Sequence, residues 1–234
     1  MMIKLQNVTV IYPDKTKAID NVSFNLNDGE SIALIGENGA GKTSLLLAIV
    51  GILETANGVI EAGGIQLTKK TVNEVRKQIG LVFQNPDDQL FMPLIYDDIA
   101  FGCRNFGLPE DEIQKRVEET LEHLNISRLR GRSSLKLSAG EKRIAAIAAV
   151  LAMNPAVLLF DEPTAFLDPK AKRALAETLN NLPQPKIVAT HDMGFAAKIC
   201  NRVIVLKNGQ IMADGGTALL HDKELMSNCG LEAI

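Results

Sequence analysis

The sequence predicts an α/β fold. A parallel-sheet core is assembled from two separated stretches, roughly 1–84 and 152–234, with an antiparallel β subdomain on its amino-terminal side. An α-helical subdomain, roughly 85–151, is inserted between the halves. Three observations carry that reading. From Ala156 onward short apolar runs alternate with helical stretches, the texture of parallel βαβ architecture. Near the amino terminus apolar and polar residues alternate with the period of half-exposed strands, whereas past Gln84 apolar residues recur at helical spacing. The 234 residues read as one domain, with neither an internal repeat nor a low-complexity linker.

Taken in order, Ile3 to Val10 and Val22 to Asn27 alternate and are separated by the turn-prone Pro13-Asp14-Lys15, which suggests an antiparallel pair. Ile32-Ala33-Leu34-Ile35 is a short apolar run, a buried strand, and Thr43 to Val50 continues as a helix. Gly58 to Leu67 carries its own turn at Gly63-Gly64 and is expected to extend the antiparallel sheet. Ile79 to Phe83 is a further strand, ending at Gln84. Pro109 reads as a first-position proline followed by first-turn acids, opening a helix whose apolar stripe is Ile113, Val117, Leu121 and Leu124. Ile144 to Met153 is a long apolar helix. Strands at Val157 to Phe160, Ile187 to Ala189 and Val203 to Leu206, with a helix over 170–182 and another before Val203, complete the parallel sheet.

Residues 36 to 43, Gly36-Glu37-Asn38-Gly39-Ala40-Gly41-Lys42-Thr43, fit the G-x-x-x-x-G-K-[ST] pattern between a strand and a helix, the context that makes this pattern a phosphate site. Glycines let successive N–H groups turn inward onto an anion, and the helix opening through Thr43 and Ser44 adds its N-terminal partial charge. Lys42 would reach the β- and γ-phosphates and the Thr43 hydroxyl would ligate Mg²⁺. A glycine-rich turn that binds nothing is the alternative.

Val157 to Phe160 ends in Asp161 and Glu162, placing Asp161 at the carboxyl end of a core strand, where α/β sheets form their ligand crevices. Asp161 would hold Mg²⁺ through its water shell, while Glu162 would orient and polarise the water attacking the γ-phosphate. A strand ending in solvated acids is the competing account. His191 follows another buried strand at the same sheet edge: a γ-phosphate contact or a hydrogen-bonded loop residue. Gln84 is a ligand of Mg²⁺ or water, or a polar strand terminus. Tyr12 stacks on an adenine ring or caps a sheet edge. Ser138 and Glu141 have the S-x-x-E spacing of a capping box, and a helix start with the Ser138 hydroxyl and Gly140 backbone donors is also an anion site.

Composition narrows the partners. Net charge is −3, with 25 basic and 28 acidic residues mixed along the chain, so nothing electrostatic favours a nucleic-acid partner. Cys103, Cys200 and Cys229 are odd in number and widely spaced, against a disulfide framework or zinc site and consistent with a reducing cytoplasm; each reads as a small buried hydrophobe. The amino terminus has no apolar h-region and the longest apolar run, Ile144 to Met153, is too short for a bilayer, so the chain is expected to be neither exported nor membrane-spanning.

In this order, the loop at 36–43, Gln84, Leu137 to Glu141, Asp161-Glu162, Leu167-Asp168 and His191 resemble the ATP-binding-cassette ATPases over nearly the whole chain. The resemblance implies a P-loop NTPase (RecA-like) core that hydrolyses ATP with Mg²⁺. It makes Tyr12 the adenine-stacking aromatic, Gln84 the Q-loop glutamine, Glu162 the catalytic carboxylate, Asp168 the D-loop aspartate and His191 the switch histidine. It also implies that Ser138 and Gly140 serve ATP bound to an opposite subunit, in a homodimer or a pair with a related ATPase. Ala139, Glu141 and Ala165-Phe166 depart from the commonest pattern: a methyl at 139 crowds the approach to the γ-phosphate, and Ala165 removes a hydroxyl that would bond across the dimer.

Asn85 to Phe91 resembles the Q-loop of ATPases in energy-coupling-factor transporters. Asp87, Asp88, Asp97 and Asp98 would receive cationic side chains of a partner helix lying over Leu90, Phe91 and Ile95; a solvated acidic loop is the alternative. The likeness makes that partner an integral membrane subunit presenting arginines, and puts this chain peripherally on the cytoplasmic face of the membrane. The compact end, with Leu-Leu-His-Asp-Lys-Glu-Leu-Met at 219–226, looks most like the cobalt and nickel group rather than the vitamin group, many of whose members carry a further helical dimerisation segment. A soluble cassette acting on nucleic acid or ribosomes would bring tandem cassettes, long insertions or basic extensions, and a plain phosphotransferase would have no use for 137–141.

Overall fold

The computed structural model describes residues 2–234. Two sheets and a helical layer share the work. The first sheet is antiparallel: β1 (Ile3–Ile11) pairs with β2 (Lys17–Leu26) on one side and β4 (Asn57–Ala62) on the other, with β5 (Ile65–Gln66) at the edge. The Gly58 to Leu67 patch thus extends this sheet, as its alternation suggests. β2 starts at Lys17, five residues before the alternating run, because its first half pairs with the end of β1, Ile11 opposite Lys17.

The second sheet has the order β10-β9-β3-β8-β7-β6, formed by β3 (Ser31–Ile35), β6 (Ile79–Val82), β7 (Val157–Asp161), β8 (Lys186–Thr190), β9 (Arg202–Lys207) and β10 (Gln210–Gly216). All neighbours are parallel except β9 and β10. Period-two burial assigns each strand residue to one of two cores. Ile32, Leu34, Leu159 and Ile187 face the antiparallel sheet across α1 (Lys42–Ile49). Ala33, Ile35, Phe160 and Val188 face the helices on the other side. Both faces of the parallel strands are covered, which is why their sequences are apolar runs rather than alternations.

Those helices are α3 (Ile95–Asn105), α4 (Glu110–His123) and α5 (Ala139–Leu151) between β6 and β7, then α6 (Pro169–Asn180) and α7 (Met193–Ile199); α2 (Val72–Gln78) and α8 (Lys223–Asn228) are short. Ile113, Val117 and Leu121 are buried along α4 as their spacing requires, while Leu124 is its half-buried C-cap. Pro109 is the N-cap and not the first helical residue, with extended backbone at ψ 147. The offset by one leaves its carbonyl to accept the N–H of Ile113. α5 starts five residues ahead of the apolar run because Ser138 and Glu141 close both halves of a capping box.

β10 has no counterpart in the apolar pattern, since its residues alternate only between exposed and half-buried. The signal that marks it is Asn208-Gly209, both at positive φ (51° and 76°), a two-residue hairpin turn joining Lys207 to Gln210. Cys103, Cys200 and Cys229 are all free and buried, and burial pushes the Cys200 thiol up to about 12. Among the described residues no helix is long and apolar enough to cross a membrane.

Candidate nucleotide-hydrolysis site

Four parallel strands end along one edge of the second sheet, and each hands the chain to a polar residue there. β3 leads into the loop at 36–41, β6 reaches Gln84 two residues on, β7 ends at Asp161 with Glu162 next, and β8 runs into His191. Crevices at the carboxyl ends of such sheets are where α/β folds bind ligands. A cleft of about 580 Å³ opens there, lined by Tyr12, Glu37, Asn38, Gly39, Gly41, Lys42, Thr43, Ser44, Gln84, Glu162 and His191 among others.

Steric need fixes the loop's glycines. A Cβ on Gly36 would sit 2.4 Å from the Leu206 carbonyl oxygen. Gly41, the left-handed N-cap of α1 at φ 104°, would place one 2.5 Å from Ala18 O. The loop is therefore pressed between β9 and β2, with its first-turn N–H groups left free of intrahelical acceptors. Gly36 and Ala40 form its buried underside. Lys42, only 6% exposed, donates from Nζ to Gly36 O (2.7 Å) and Glu37 O (3.2 Å).

Across the cleft the two carboxylates are held differently. Asp161 accepts the Thr43 hydroxyl on both oxygens, at 3.0 and 2.9 Å, joining residues 118 apart in sequence. Burial pushes its carboxyl up, opposed by that hydrogen bond and by the nearby Lys42. A hydroxyl and one carboxylate facing a phosphate loop suit Mg²⁺, which prefers one or two protein oxygens plus phosphate and water to an all-protein cage. Among the described residues no cluster of three or more His, Cys, Asp or Glu side chains competes for a metal.

Glu162 is 6% exposed and sits at φ 42°, a conformation uncommon for a residue with a side chain. Its N–H donates to Ala189 O, anchoring it to β8. Oε2 lies 2.9 Å from His191 Nδ1 and accepts the His191 N–H at 3.3 Å. Oε1 stands 3.5 Å from Lys42 Nζ and accepts no hydrogen bond among the described residues. A buried acceptor left open and facing the phosphate loop is suited to take a proton from water. The His191 side chain itself is 62% exposed.

Tyr12 Oη shares a 2.7 Å hydrogen bond with Ser44 Oγ, at the rim beside the start of α1. Thr16, Lys17, Ala18, Asn208 and Gly209 also line the cleft, and sequence reasoning missed them. The Asn208-Gly209 turn is a legible hairpin signal, but its place against the loop is not; Gly209 N donates to Ala40 O. Ser138, Gly140 and Asp168 lie apart from this lining. Ser138 is exposed and engaged with Glu141, and Asp168 caps α6 through the N–H of Ala171. Lys172 ties α6 to Asp192, next to His191, at 2.7 Å.

The apolar patch after Gln84 differs from the sequence expectation. Leu90 and Ile95 point into the core (4% and 0% exposed), so nothing can dock on them; Phe91, Leu94 and Phe101 are the exposed apolar residues, with the Phe91 and Phe101 rings edge to face at 4.9 Å. Asp98 is likewise buried, accepting the N–H groups of Phe91 and Met92 at 2.9 Å, and burial pushes its carboxyl up. Leu90 lies in the irregular 86–94 stretch, where spacing marks no face, whereas Ile95 and Asp98 share the buried face of α3 with Ile99 and Cys103. Asp87 is exposed and bonded to Lys142 at 2.6 Å, and Asp97 lies 3.4 Å from Arg104.

A phosphate loop facing an aspartate and a shielded glutamate at the carboxyl edge of a parallel sheet is the arrangement of P-loop nucleoside triphosphatases. Comparison with known proteins carries the assignment further. The family model for ABC transporters matches residues 19–165. A putative ABC transporter ATP-binding protein of Geobacter sulfurreducens is 42% identical over 99% of this chain and 93% of its own length. The energy-coupling factor transporter ATP-binding protein EcfA of Carboxydothermus hydrogenoformans is 41% identical over 100% of this chain and 87% of its own. Among solved structures, CbiO1 of Clostridium perfringens, part of the ABC transporter complex CbiONQ, is 37% identical and superposes with a TM-score of 0.85, covering 97% of this chain and 93% of that one. The cassette MJ0796, a dimer in a post-hydrolysis state bound to ADP and phosphate, is 28% identical with a TM-score of 0.81, over 92% of this chain and 99% of that one. The chain belongs to the ABC transporter family, and within it to the energy-coupling-factor type, whose activity is ATP hydrolysis with Mg²⁺ coupled to transport.

Gly39 and Gly41 separate strain from clash. Both have positive φ, 84° and 104°, but only Gly41 meets a neighbour within 4 Å of an added Cβ. Gly39→Ala is expected to cost about 1 kcal/mol of stability and Gly41→Ala at least about 2 kcal/mol more, read from denaturant midpoints. Equal shifts would refute the packing of the loop against Ala18.

Proposed function

We propose that the chain is the ATP-hydrolysing subunit of an importer for a transition metal ion, cobalt or nickel, working in pairs on the cytoplasmic face of the membrane. The observation that carries the paired reading is the division of the site. Lys42, Thr43, Glu162 and His191 line one cleft, with Asp161 bonded to Thr43 beside it, while the anion-binding helix start at Ser138 and Gly140 lies apart from it. A second cassette placed head to tail supplies the missing half. Likeness to the EcfA proteins supports the energy-coupling-factor type, and likeness to CbiO1, together with the 219–226 segment, supports the cobalt or nickel reading.

In this mechanism Tyr12 stacks on adenine and the N–H groups of residues 37–44 bind phosphate oxygens. Lys42 turns its Nζ from the Gly36 and Glu37 carbonyls to the β- and γ-phosphates. Thr43 and Asp161, already in contact, would hold Mg²⁺ with Gln84 nearby, and the ion would supply positive charge against the phosphates. Glu162 takes the proton of the attacking water on Oε1, and His191 holds the carboxylate by its other oxygen while reaching the γ-phosphate. Asp168 sits on the mating face. ATP touching both subunits favours the closed pair, and loss of the γ-phosphate removes that preference.

Force leaves through the surface after Gln84. Asp87 and Asp88 flank the exposed Phe91, Leu94 and Phe101, a charged rim around an apolar centre that fits a basic, amphipathic helix of an integral membrane subunit. Asp87 then exchanges Lys142 for the partner's cation.

Glu162→Gln is expected to lower turnover at least about a hundredfold while ATP binding persists and a dimer accumulates with ATP, measured by phosphate release and light scattering. Wild-type turnover in that variant would remove Glu162 from its role. Pull-down from membranes with the native chain should recover integral subunits that Asp87→Lys plus Asp88→Lys does not; equal recovery counts against the docking surface. Cells lacking the subunit should lose ATP-dependent uptake of labelled cobalt or nickel, and unchanged uptake of both sinks the metal assignment.

A further inference from the structure

Arg143 is 1% exposed and heads the fully buried side chains by volume. Its guanidinium is spent on main-chain acceptors. Nη1 donates to Phe83 O at 2.7 Å and Nη2 to Gln84 O at 2.6 Å, while Nε finds no partner. Burial draws its pKa down to about 10, with the Asp161 charge opposing. Two carbonyls need no full charge to satisfy them, so packing alone does not account for a cation here. A guanidinium does something that a neutral donor does not: its rigid fork fixes two acceptors in one plane.

Those acceptors are the last residues of the chain leaving β6, and the second is Gln84 itself. The same turn is tied to α5 twice more. Gln89 accepts the Phe83 N–H at 3.3 Å and donates to Ala146 O at 2.7 Å, and Lys142 bonds Asp87 at 2.6 Å. All these ties meet α5 between Lys142 and Ala146, in the turns that follow its capping box at Ser138 and Glu141. The turn carrying Gln84 is thereby held by the helix that presents Ser138, not by the sheet strand it leaves.

Resting on the reading of Gln84 as a ligand of Mg²⁺ or of the attacking water, we infer that Arg143 is a positioning residue for hydrolysis: it grips the Gln84 backbone from α5 and sets where the Gln84 side chain stands in the cleft. It touches neither nucleotide nor metal, so its effect on turnover passes through Gln84.

The test is a double-mutant cycle on the full chain, reading steady-state ATP hydrolysis, Mg²⁺ half-saturation, affinity for a fluorescent ATP analogue and thermal melting. Arg143→Met is expected to lower kcat about tenfold and raise the half-saturating Mg²⁺, with nucleotide affinity within about twofold of the native chain. Arg143→Lys, which keeps the charge and one donor head, should recover part of kcat. In the Gln84→Ala background Arg143→Met should cost less than about a further twofold. If the two losses multiply, or if Arg143→Lys is no better than Met, the inference is overturned while the reading of Gln84 stands. Wild-type turnover in Gln84→Ala removes that reading, and the inference with it. Should Arg143→Met fail to fold, Arg143→Lys carried through the same cycle decides by the same criterion of multiplied or overlapping losses.

Discussion

Parallel register is the constraint on which the site depends. Ile35 stands opposite Thr190, Asp161 opposite Ala189 and Val82 opposite Phe160, so the strands of the central sheet finish within a residue or two of one another. A slip of one residue anywhere in that set would turn a strand's side chains to the opposite face. Asp161 would then leave Thr43, and Glu162 would lose both His191 and Lys42. The two apolar cores prevent the slip, because every apolar residue of these four strands packs into or against one core or the other.

Within that frame the sheet edge gathers charge that would be costly elsewhere. Lys42, Asp161, Glu162 and Arg143 are all nearly or fully buried. Burial of such groups is tolerable only where opposite charges and hydrogen bonds compensate it. Compensation here is deliberately incomplete: Glu162 keeps one open oxygen and Lys42 borrows backbone carbonyls. In the proposed mechanism triphosphate and Mg²⁺ would supply what is wanting, so affinity and reactivity would arise from the same local deficit.

Much of this was legible in the residues. The phosphate loop, the strand-terminal acids and the S-x-x-E cap rest on local rules: glycine geometry, strand period, helix-end chemistry. The α/β class followed from apolar runs that two-sided burial requires. What escaped was set by tertiary contact. β10 buries too little to show a period, Arg143 reads as one more charge on a helix, Leu90 looks like surface until the 86–94 stretch folds inward, and Ile95 and Asp98 turn out to lie on the inner face of α3. Pro109 missed its place by one residue because a proline serves at either side of a helix start. Thr16 to Ala18 and Asn208-Gly209 reach the cleft only because the antiparallel sheet and the last hairpin close over the loop.

The position of β3 has a consequence for how the chain is made. Its neighbours on both sides, β8 and β9, are encoded some 150 residues later, and the glycine that backs Ala40 is residue 209. On the ribosome Ile32 to Ile35 waits with both edges bare until nearly the whole polypeptide has emerged. The strands of the antiparallel sheet are all present by Gln66, yet the core they close over includes Leu159, Ile187 and Leu206, and the floor of the cleft is the last thing built. A nascent product cut short before β8 therefore carries the phosphate loop without the strands that flank it.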